Sequence, residues 1–152
     1  MIDRPDILRD FSGFIGLADL APKAAPRASG VYAVIRPTTT EPSFLGVSPA
    51  GWSNGDPTLP VRELEQNWVR DERVIYIGKA VNLRRRLSAY RRHGAGRRAR
   101  HWGGRMIWQL ADHDSLLVAW RECEEPRTVE REMLSDFRAA HAGSLPYANR
   151  VG

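Results

Sequence analysis

A carboxylate lies on the apolar side of a helix predicted near the end of the chain. Positions i, i+3, i+4 and i+7 of that helix are Glu130, Met133, Leu134 and Phe137. This spacing places all four on one helix face. A buried carboxylate is costly unless it is paired, hydrogen-bonded or bound to a metal. Two interpretations of Glu130 are therefore open: a salt bridge at the edge of the core, for instance to an arginine, or a metal ligand.

An arginine raises the same question in a second predicted helix. The apolar stripe of this helix consists of Leu83, Leu87 and Tyr90. Arg86 borders the stripe one turn before Tyr90, so the Arg86 guanidinium and the Tyr90 hydroxyl could both reach a site beside the core. Alternatively, Arg86 extends from the edge of the core into water along its aliphatic stem.

The charge distribution predicts a polyanionic partner. The chain has 152 residues, a net charge of +5 and a pI of about 10.0. Arginines crowd the stretch from residue 84 to residue 105, and arginine makes bidentate contacts with phosphate. We therefore expect DNA as the partner, with RNA not excluded. The predicted nucleic-acid-binding residues are Arg85, Arg91, Arg92, Arg97, Arg98 and Arg100.

Composition narrows the class of protein further. The length suits one domain, 1–152, and the content of apolar and charged residues is that of a globular protein. The single cysteine, Cys123, allows no intramolecular disulfide, and no zinc-ligand spacing is present. The first residues do not have the layout of a signal peptide, and no apolar run has membrane-spanning length. We expect a cytoplasmic protein without a membrane partner and predict no oligomeric state.

Hydrophobic periodicity and turn residues predict the elements that position these side chains. The predicted helices are Asp6 to about Leu20, Val61–Val69, Val81–His93 and Pro126 to about Ala140. The predicted strands are Gly30–Ile35, a short one around Phe44–Val47, Val74–Ile77, Arg105–Leu110 and Leu116–Trp120. The last two strands are expected to form a hairpin.

Five features in this order resemble the GIY-YIG nuclease family. Gly30-Val31-Tyr32 and Tyr76-Ile77-Gly78 match its two signatures, with valine in place of the usual isoleucine. The run from Tyr76 to Tyr90 is similar to a segment of the bacterial excision-repair incision subunit. The helix that carries Glu130 follows, and Pro146-Tyr147-Ala148-Asn149 resembles the terminal Pro-x-x-Asn of the family.

The resemblance implies an α+β fold, with a small central antiparallel sheet of about three core strands flanked by helices. It also implies hydrolysis of DNA phosphodiester bonds with one divalent ion, Mg²⁺ or Mn²⁺. Glu130 would be the metal ligand, and Arg86 would clamp the scissile phosphate. Tyr32 and Tyr76 would lie on the side of the attacking water, one of them as general base or water-orienting group. The supporting residues would be Lys79, Tyr90 and Asn149.

The chain departs from the family in a long insert, roughly residues 38–73, between the first two core strands. This 38–73 segment contains Trp52 and Trp68 and could recognise substrate or form a dimer contact, or it could be a loop with its own small core. His101-Trp102-Gly103-Gly104-Arg105 could stack on a base or simply pack.

Three functions are compatible with these features. A repair, recombination or defence endonuclease, a non-catalytic nucleic-acid-binding module with the nuclease fold, and a basic protein-interaction adaptor remain open. The presence of Glu130 favours the endonuclease, because a degenerate relative would be expected to lose it.

Overall fold

The computed structural model describes residues 5–52, 55–97 and 104–150 of the chain. Within them, four strands form one antiparallel sheet in the order β1-β4-β2-β3. The strands are β1 Ser12–Gly16, β2 Gly30–Ile35, β3 Val74–Ala80 and β4 Leu117–Glu122. The helices are α1 Val61–Asn67, α2 Leu83–Gly94 and α3 Pro126–Ala140. The α+β class and the small antiparallel sheet are confirmed.

Strand β2 lies between two strands and is covered on both faces. All six of its residues are buried. Its side chains alternate between the faces, as in any strand. Tyr32 and Val34 pack in one apolar cluster with the α2 stripe, whereas Val31 and Ala33 pack in a second cluster with α3. The two helices therefore cover opposite faces of the sheet.

Helix α2 begins at a side-chain cap, which places its start two residues after the predicted one. The Asn82 side chain accepts a hydrogen bond of 3.0 Å from the Arg85 amide, as a good N-cap residue does. The predicted stripe Leu83, Leu87 and Tyr90 is buried. The helix ends at Gly94, where an added Cβ would lie 2.5 Å from the Trp108 ring. This helix prediction is confirmed with those bounds.

Helix α3 agrees with the prediction at both ends. Pro126 occupies its first turn, where the missing amide hydrogen carries no cost. Met133, Leu134 and Phe137 are buried against β2 and β3. Glu130 lies on the same side, partly buried, as its spacing predicts.

The first predicted helix is wrong. A 3₁₀ turn covers only Asp6–Leu8, and β1 then pairs with β4 at the edge of the sheet. Gly13 and Phe14 have φ values of 98° and 57°, so the chain cannot continue as a right-handed helix there. Edge pairing with β4 overrides the weak helical spacing of the apolar residues.

The predicted strand Arg105–Leu110 and its hairpin are also wrong. Residues Arg105–Gln109 form a 3₁₀ helix that starts after the left-handed Gly104. Strand β4 pairs with β1 and β2 instead. The short strand predicted around Phe44 is reduced to one bridge, between Phe44 and Leu110. A short apolar run cannot be assigned to helix or strand by periodicity alone, because burial makes it apolar on every side.

The 38–73 segment packs into the main core of the protein. Leu64 of α1 is buried, and Trp68 packs 5.2 Å from the Tyr147 ring. The buried Gln109 side chain accepts from the Leu59 amide at 3.0 Å. It also donates to the carbonyls of Leu45 and Leu59 at 2.9 and 2.8 Å. The described part of the segment, 38–52 and 55–73, therefore belongs to the main core and not to a separate small one.

Among the described residues, no helix is both long enough and apolar enough to cross a membrane.

Candidate active site

Three tyrosines form one aromatic cluster between the sheet and α2. Tyr32 lies opposite Gly78, and Tyr76 lies opposite Val34, in the β2–β3 ladder. The ring centroids are 6.0 Å apart for Tyr32 and Tyr76 and 5.8 Å apart for Tyr76 and Tyr90. Tyr32 and Tyr90 have no exposed surface, whereas Tyr76 is 8% exposed. Of the three, Tyr76 is the one that reaches solvent.

Both signature glycines are required by close packing. An added Cβ at Gly78 would lie 2.5 Å from Cζ and 2.6 Å from Oη of Tyr32. A Cβ at Gly30 would overlap the backbone carbonyl of Arg121 on β4. The two glycines therefore allow Tyr32 to cross the face of β3 and allow β2 and β4 to pair closely.

The Tyr32 hydroxyl is hydrogen-bonded to both Arg86 and Tyr76. Burial raises the pKa of Tyr32 well above its ordinary value of 10.0, and the Tyr76 hydroxyl raises it further. The charge and the hydrogen bond of Arg86 act in the opposite direction and lower this pKa. Burial dominates, so Tyr32 is a neutral phenol at neutral pH.

Charged groups from both helices act on the Tyr76 hydroxyl. Burial raises the pKa of Tyr76, the Arg86 charge and the hydrogen bond with Tyr32 lower it, and the Glu130 charge raises it. Arg86 comes from α2, and Glu130 comes from α3 on the other face of the sheet. The two charges that interrupt apolar helix faces therefore act on the pKa of the same tyrosine in opposite directions.

Glu130 forms the salt bridge that one interpretation predicts, but its partner is a lysine. Its side chain is 19% exposed, and Oε1 lies 3.3 Å from Nζ of Lys79. The Lys79 side chain is 47% exposed and leaves β3 on the side of α3. The ammonium group neutralises the carboxylate and reduces the cost of partly burying it.

The groups around Glu130 fit a metal ion that takes one ligand from the protein and its other ligands from water or substrate. A carboxylate oxygen is the ligand type that Mg²⁺ prefers, and Mg²⁺ keeps several waters or binds phosphate oxygens in addition. No cluster of three or more His, Cys, Asp or Glu side chains occurs in residues 5–52, 55–97 and 104–150. One carboxylate completed by waters and substrate oxygens is compatible with this arrangement.

A groove of about 510 Å³ opens beside this cluster, between the start of α2 and the start of α3. We call it the active-site groove, and its main lining residues are Lys79, Val81, Arg85, Arg86, Pro126 and Arg127. Four of the groove's nine lining residues are cationic, and no carboxylate belongs to the described lining. Val81 is 87% exposed and, with Pro126, forms an apolar wall. The groove suits an anionic group with an apolar portion.

Tyr90 connects the aromatic cluster to the backbone at Gly104. Its hydroxyl donates a 2.7 Å hydrogen bond to the Gly104 carbonyl. Gly104 is left-handed, with φ 76°, and an added Cβ would lie 2.6 Å from Tyr90 Oη and 2.9 Å from the Tyr76 ring. The sequence analysis gave Gly104 no part in the site. Its only signal is its place in a glycine pair next to the basic loop.

Asn149 pairs with the outer edge of β3. Its Oδ1 accepts from the Ile77 amide at 3.0 Å, and its Nδ2 donates to the Ile77 carbonyl at 2.9 Å. Ala148 donates to the Ile75 carbonyl at 2.8 Å. The tail therefore hydrogen-bonds to β3 on both sides of Tyr76, and Asn149 acts on the backbone of the site.

The structure places four of the six predicted nucleic-acid-binding arginines. Arg85 lines the active-site groove, Arg91 and Arg92 are half-buried near the end of α2, and Arg97 is exposed after it. Arg92 Nη1 donates to Ser88 Oγ at 2.8 Å. Arg98 and Arg100 lie outside the described residues, as does the segment 101–103.

Sequence and structure comparisons add no relative to this geometry. No family model, curated protein or solved structure matches the chain.

Proposed function

We propose that this protein is a divalent-metal-dependent endonuclease with the GIY-YIG fold and that it hydrolyses phosphodiester bonds in DNA. The observation that supports this most strongly is geometric: Arg86 and Lys79 line one groove, and Lys79 Nζ lies 3.3 Å from Oε1 of Glu130. In such a hydrolysis a carboxylate can hold the metal ion, a guanidinium can stabilise charge on the phosphate, and a phenol can orient water.

Arg86 would stabilise the transition state. Negative charge gathers on the non-bridging oxygens of a phosphodiester under attack, and a fixed guanidinium stabilises it most where water is excluded. Arg86 lines the groove, its Nε is buried, and it is hydrogen-bonded to Tyr32. Tyr32 thus holds the guanidinium in position before substrate binds.

Tyr76 would orient the attacking water. Of the two strand tyrosines it is the one that reaches solvent, because Tyr32 is completely buried. The raised pKa of Tyr76 keeps it neutral near pH 7, so the phenol serves as a hydrogen-bonding group there. Tyr32 then positions both Tyr76 and Arg86.

Glu130 would hold the Mg²⁺ or Mn²⁺ ion. When bound, such an ion supplies Lewis-acid polarisation of the phosphate and lowers the pKa of coordinated water. The half-exposed Lys79 balances the Glu130 charge and, as a lining residue of the groove, would also contact a phosphate bound there.

A non-catalytic nucleic-acid-binding module is the second candidate. The Lys79–Glu130 ion pair favours it, because this pair satisfies the carboxylate without a metal ion. The two candidates agree on DNA binding and differ on cleavage.

A nicking assay tests the proposal. Supercoiled plasmid is incubated with the protein and Mg²⁺, Mn²⁺ or a chelator. We expect nicking with either ion and none with the chelator. We expect Arg86→Ala to lower the rate by about 100-fold or more, the usual effect of removing a charge-stabilising donor. Arg138→Ala, an exposed arginine near the end of α3, is the matched control and should nick at the wild-type rate.

Two results would contradict the proposal. DNA binding without cleavage under any metal condition would favour the non-catalytic module. Nicking that Arg86→Ala leaves unchanged would remove Arg86 from the catalytic site.

A further inference from the structure

A second groove, of about 450 Å³, lies along α2 next to the active-site groove. We call it the arginine groove, and its polar lining residues are Arg27, Asn82, Arg84, Arg85, Ser88 and Arg92. Arg27 comes from the connector before β2, and the others come from the first three turns of α2 and its cap. Neither Arg27 nor Arg84 belongs to the site proposed above.

The arginine groove carries four positive charges without a compensating carboxylate. No Asp or Glu contributes to its described lining. None of the ion pairs found among the described residues involves Arg27, Arg84, Arg85 or Arg92. Like charges in one groove repel each other, and a bound polyanion relieves that repulsion. The chemistry of the groove therefore selects an anion with several charges.

Backbone hydrogen bonds fix the connector to the start of α2 and so position Arg27. The amides of Leu83 and Arg84 donate to the carbonyls of Ala28 and Pro26, each at 2.9 Å. Nε of Arg84 donates to the Ala25 carbonyl at 2.8 Å. Arg27 is exposed between these anchored residues.

The first amides of α2 are already paired, so side chains must recognise the anion. Besides the two amides above, Arg85 donates to the Asn82 side chain at 3.0 Å and Arg86 donates to the Asn82 carbonyl at 3.0 Å. The helix terminus therefore offers no unpaired amide to a phosphate. Guanidinium groups remain as donors, and they bind phosphate bidentately.

The two grooves are adjacent and share a wall. Asn82 and Arg85 line both of them. From Arg85 to Arg92 the path follows two turns of α2, about 10 Å. This length exceeds the rise of one nucleotide, which is about 3.4 Å along the axis of B-form DNA. A strand whose scissile phosphate lies at Arg86 would continue across Arg85 into the arginine groove.

We propose that the arginine groove binds backbone phosphates of the DNA strand that flanks the scissile bond, with Arg27 and Arg92 as its outer contacts. This inference rests on the proposed nuclease function for the position of the scissile bond. The binding of DNA by the groove can be tested without cleavage.

The test measures binding of a fluorescently labelled DNA duplex by anisotropy, in chelator, over a series of salt concentrations. The proteins compared are wild type, Arg27→Ala, Arg27→Glu, Arg92→Ala and the control Arg138→Ala. Circular dichroism and thermal unfolding confirm that each variant is folded, which is expected because Arg27 is an exposed connector residue.

We expect Arg27→Ala and Arg92→Ala to weaken binding by about 3- to 10-fold and Arg27→Glu to weaken it more. Each alanine variant should reduce the slope of log K against log salt by about 1, the loss of one phosphate contact. Arg138→Ala should match wild type. Equal affinity and slope for both Arg27 variants and wild type would overturn the inference, and so would an equal loss in Arg138→Ala.

A second measurement separates this inference from the proposed function. In the metal-dependent nicking assay, Arg27→Ala should raise KM while kcat stays within about twofold of wild type. A loss of kcat at unchanged KM would overturn the flanking role. If the wild type does not nick DNA but Arg27→Ala still weakens binding, the nuclease proposal fails and DNA binding by the groove stands.

Discussion

At Gly78, the missing side chain gives Tyr32 the space to reach Arg86 and Tyr76. An added Cβ would fall 2.5 Å from the Tyr32 ring, so either the ring or β3 would have to shift. Gly46 provides a comparison, because an added Cβ there meets nothing within 4 Å. The signature glycine is thus explained by packing, without reference to a relative.

We expect Gly78→Ala to lower the free energy of unfolding by about 1–3 kcal/mol, the usual cost of overpacking a core. It should also lower the nicking rate, because the displaced Tyr32 no longer holds Arg86. Denaturant unfolding and the plasmid assay measure the two effects. Gly46→Ala should change neither, and a Gly78→Ala protein as stable and active as Gly46→Ala would contradict the packing argument.

The helix wheel predicted which side of α2 carries Arg86 and Tyr90 but not what their polar atoms contact. Tyr90 was expected to support the catalytic residues, and its hydroxyl binds the Gly104 carbonyl. That contact depends on a left-handed residue in a distant segment, which no local periodicity indicates. Likewise, the spacing around Glu130 indicated a partner, and only the fold shows that Lys79 is that partner.

Among the elements, the strands and helices that carry the site were predictable, and the edge of the sheet was not. β2, β3, α2 and α3 have strong apolar patterns with glycine, proline or asparagine at their ends. β1 was mistaken for a helix, because its pairing with β4 and its left-handed Phe14 depend on tertiary contacts. The 3₁₀ helix that begins at Arg105 was mistaken for a strand, because burial on all sides removes periodicity.

The tail shows how one side chain can replace a neighbouring strand. β3 is an edge strand, and Asn149 pairs with both the amide and the carbonyl of Ile77. Removing the side-chain amide of Asn149 would leave the buried N–H and C=O groups of Ile77 without that partner. Such groups cost about 1–3 kcal/mol each when unsatisfied.

We expect Asn149→Ala to lower the free energy of unfolding by about 2 kcal/mol or more and to speed hydrogen exchange at the Ile77 amide. Chemical denaturation and amide exchange measure these effects. Asn67→Ala removes an exposed side-chain hydrogen bond to the Glu63 carbonyl and should cost less than about 0.5 kcal/mol. If the two variants were equally stable, the Asn149 side chain would not stabilise the edge of β3.

At the scale of the whole molecule, burial raises the pKa of every tyrosine. The chain has four tyrosines, and all four are buried. Burial is the largest cause in each case, and it raises the pKa of Tyr32, Tyr76, Tyr90 and Tyr147 above the ordinary value of 10.0. Above that pH the unfolded chain releases protons that the folded chain retains, so the free energy of unfolding falls as pH rises.

We expect the native protein to show no tyrosinate absorbance near pH 10, whereas the denatured chain titrates there. At higher pH the absorbance should rise together with loss of the circular dichroism signal. Stability below about pH 9 should not depend on these groups. Normal titration of two or more tyrosines in the folded state would show that the cluster is open to solvent.

The 38–73 segment also belongs to this largest scale. Three interpretations of it were open: substrate recognition, a dimer contact, or a loop with its own small core. Its described part shares the main core through Leu64 and Trp68 and is bonded to Gln109 through Leu59, which argues against the third. The sequence of this segment did not indicate packing in the main core, because its contacts are made by single side chains spread along it. The described part of the segment is therefore packed in one core with the sheet.

The nicking rate of Glu130→Gln with Mg²⁺, relative to wild type, tests the central claim most directly. The substitution keeps the size of the side chain and removes the charge that would bind the metal. We predict a loss of about 100-fold or more in a folded protein, with Glu132→Gln, an exposed neighbour on α3, at the wild-type rate. Nicking by Glu130→Gln as fast as by Glu132→Gln would contradict the account.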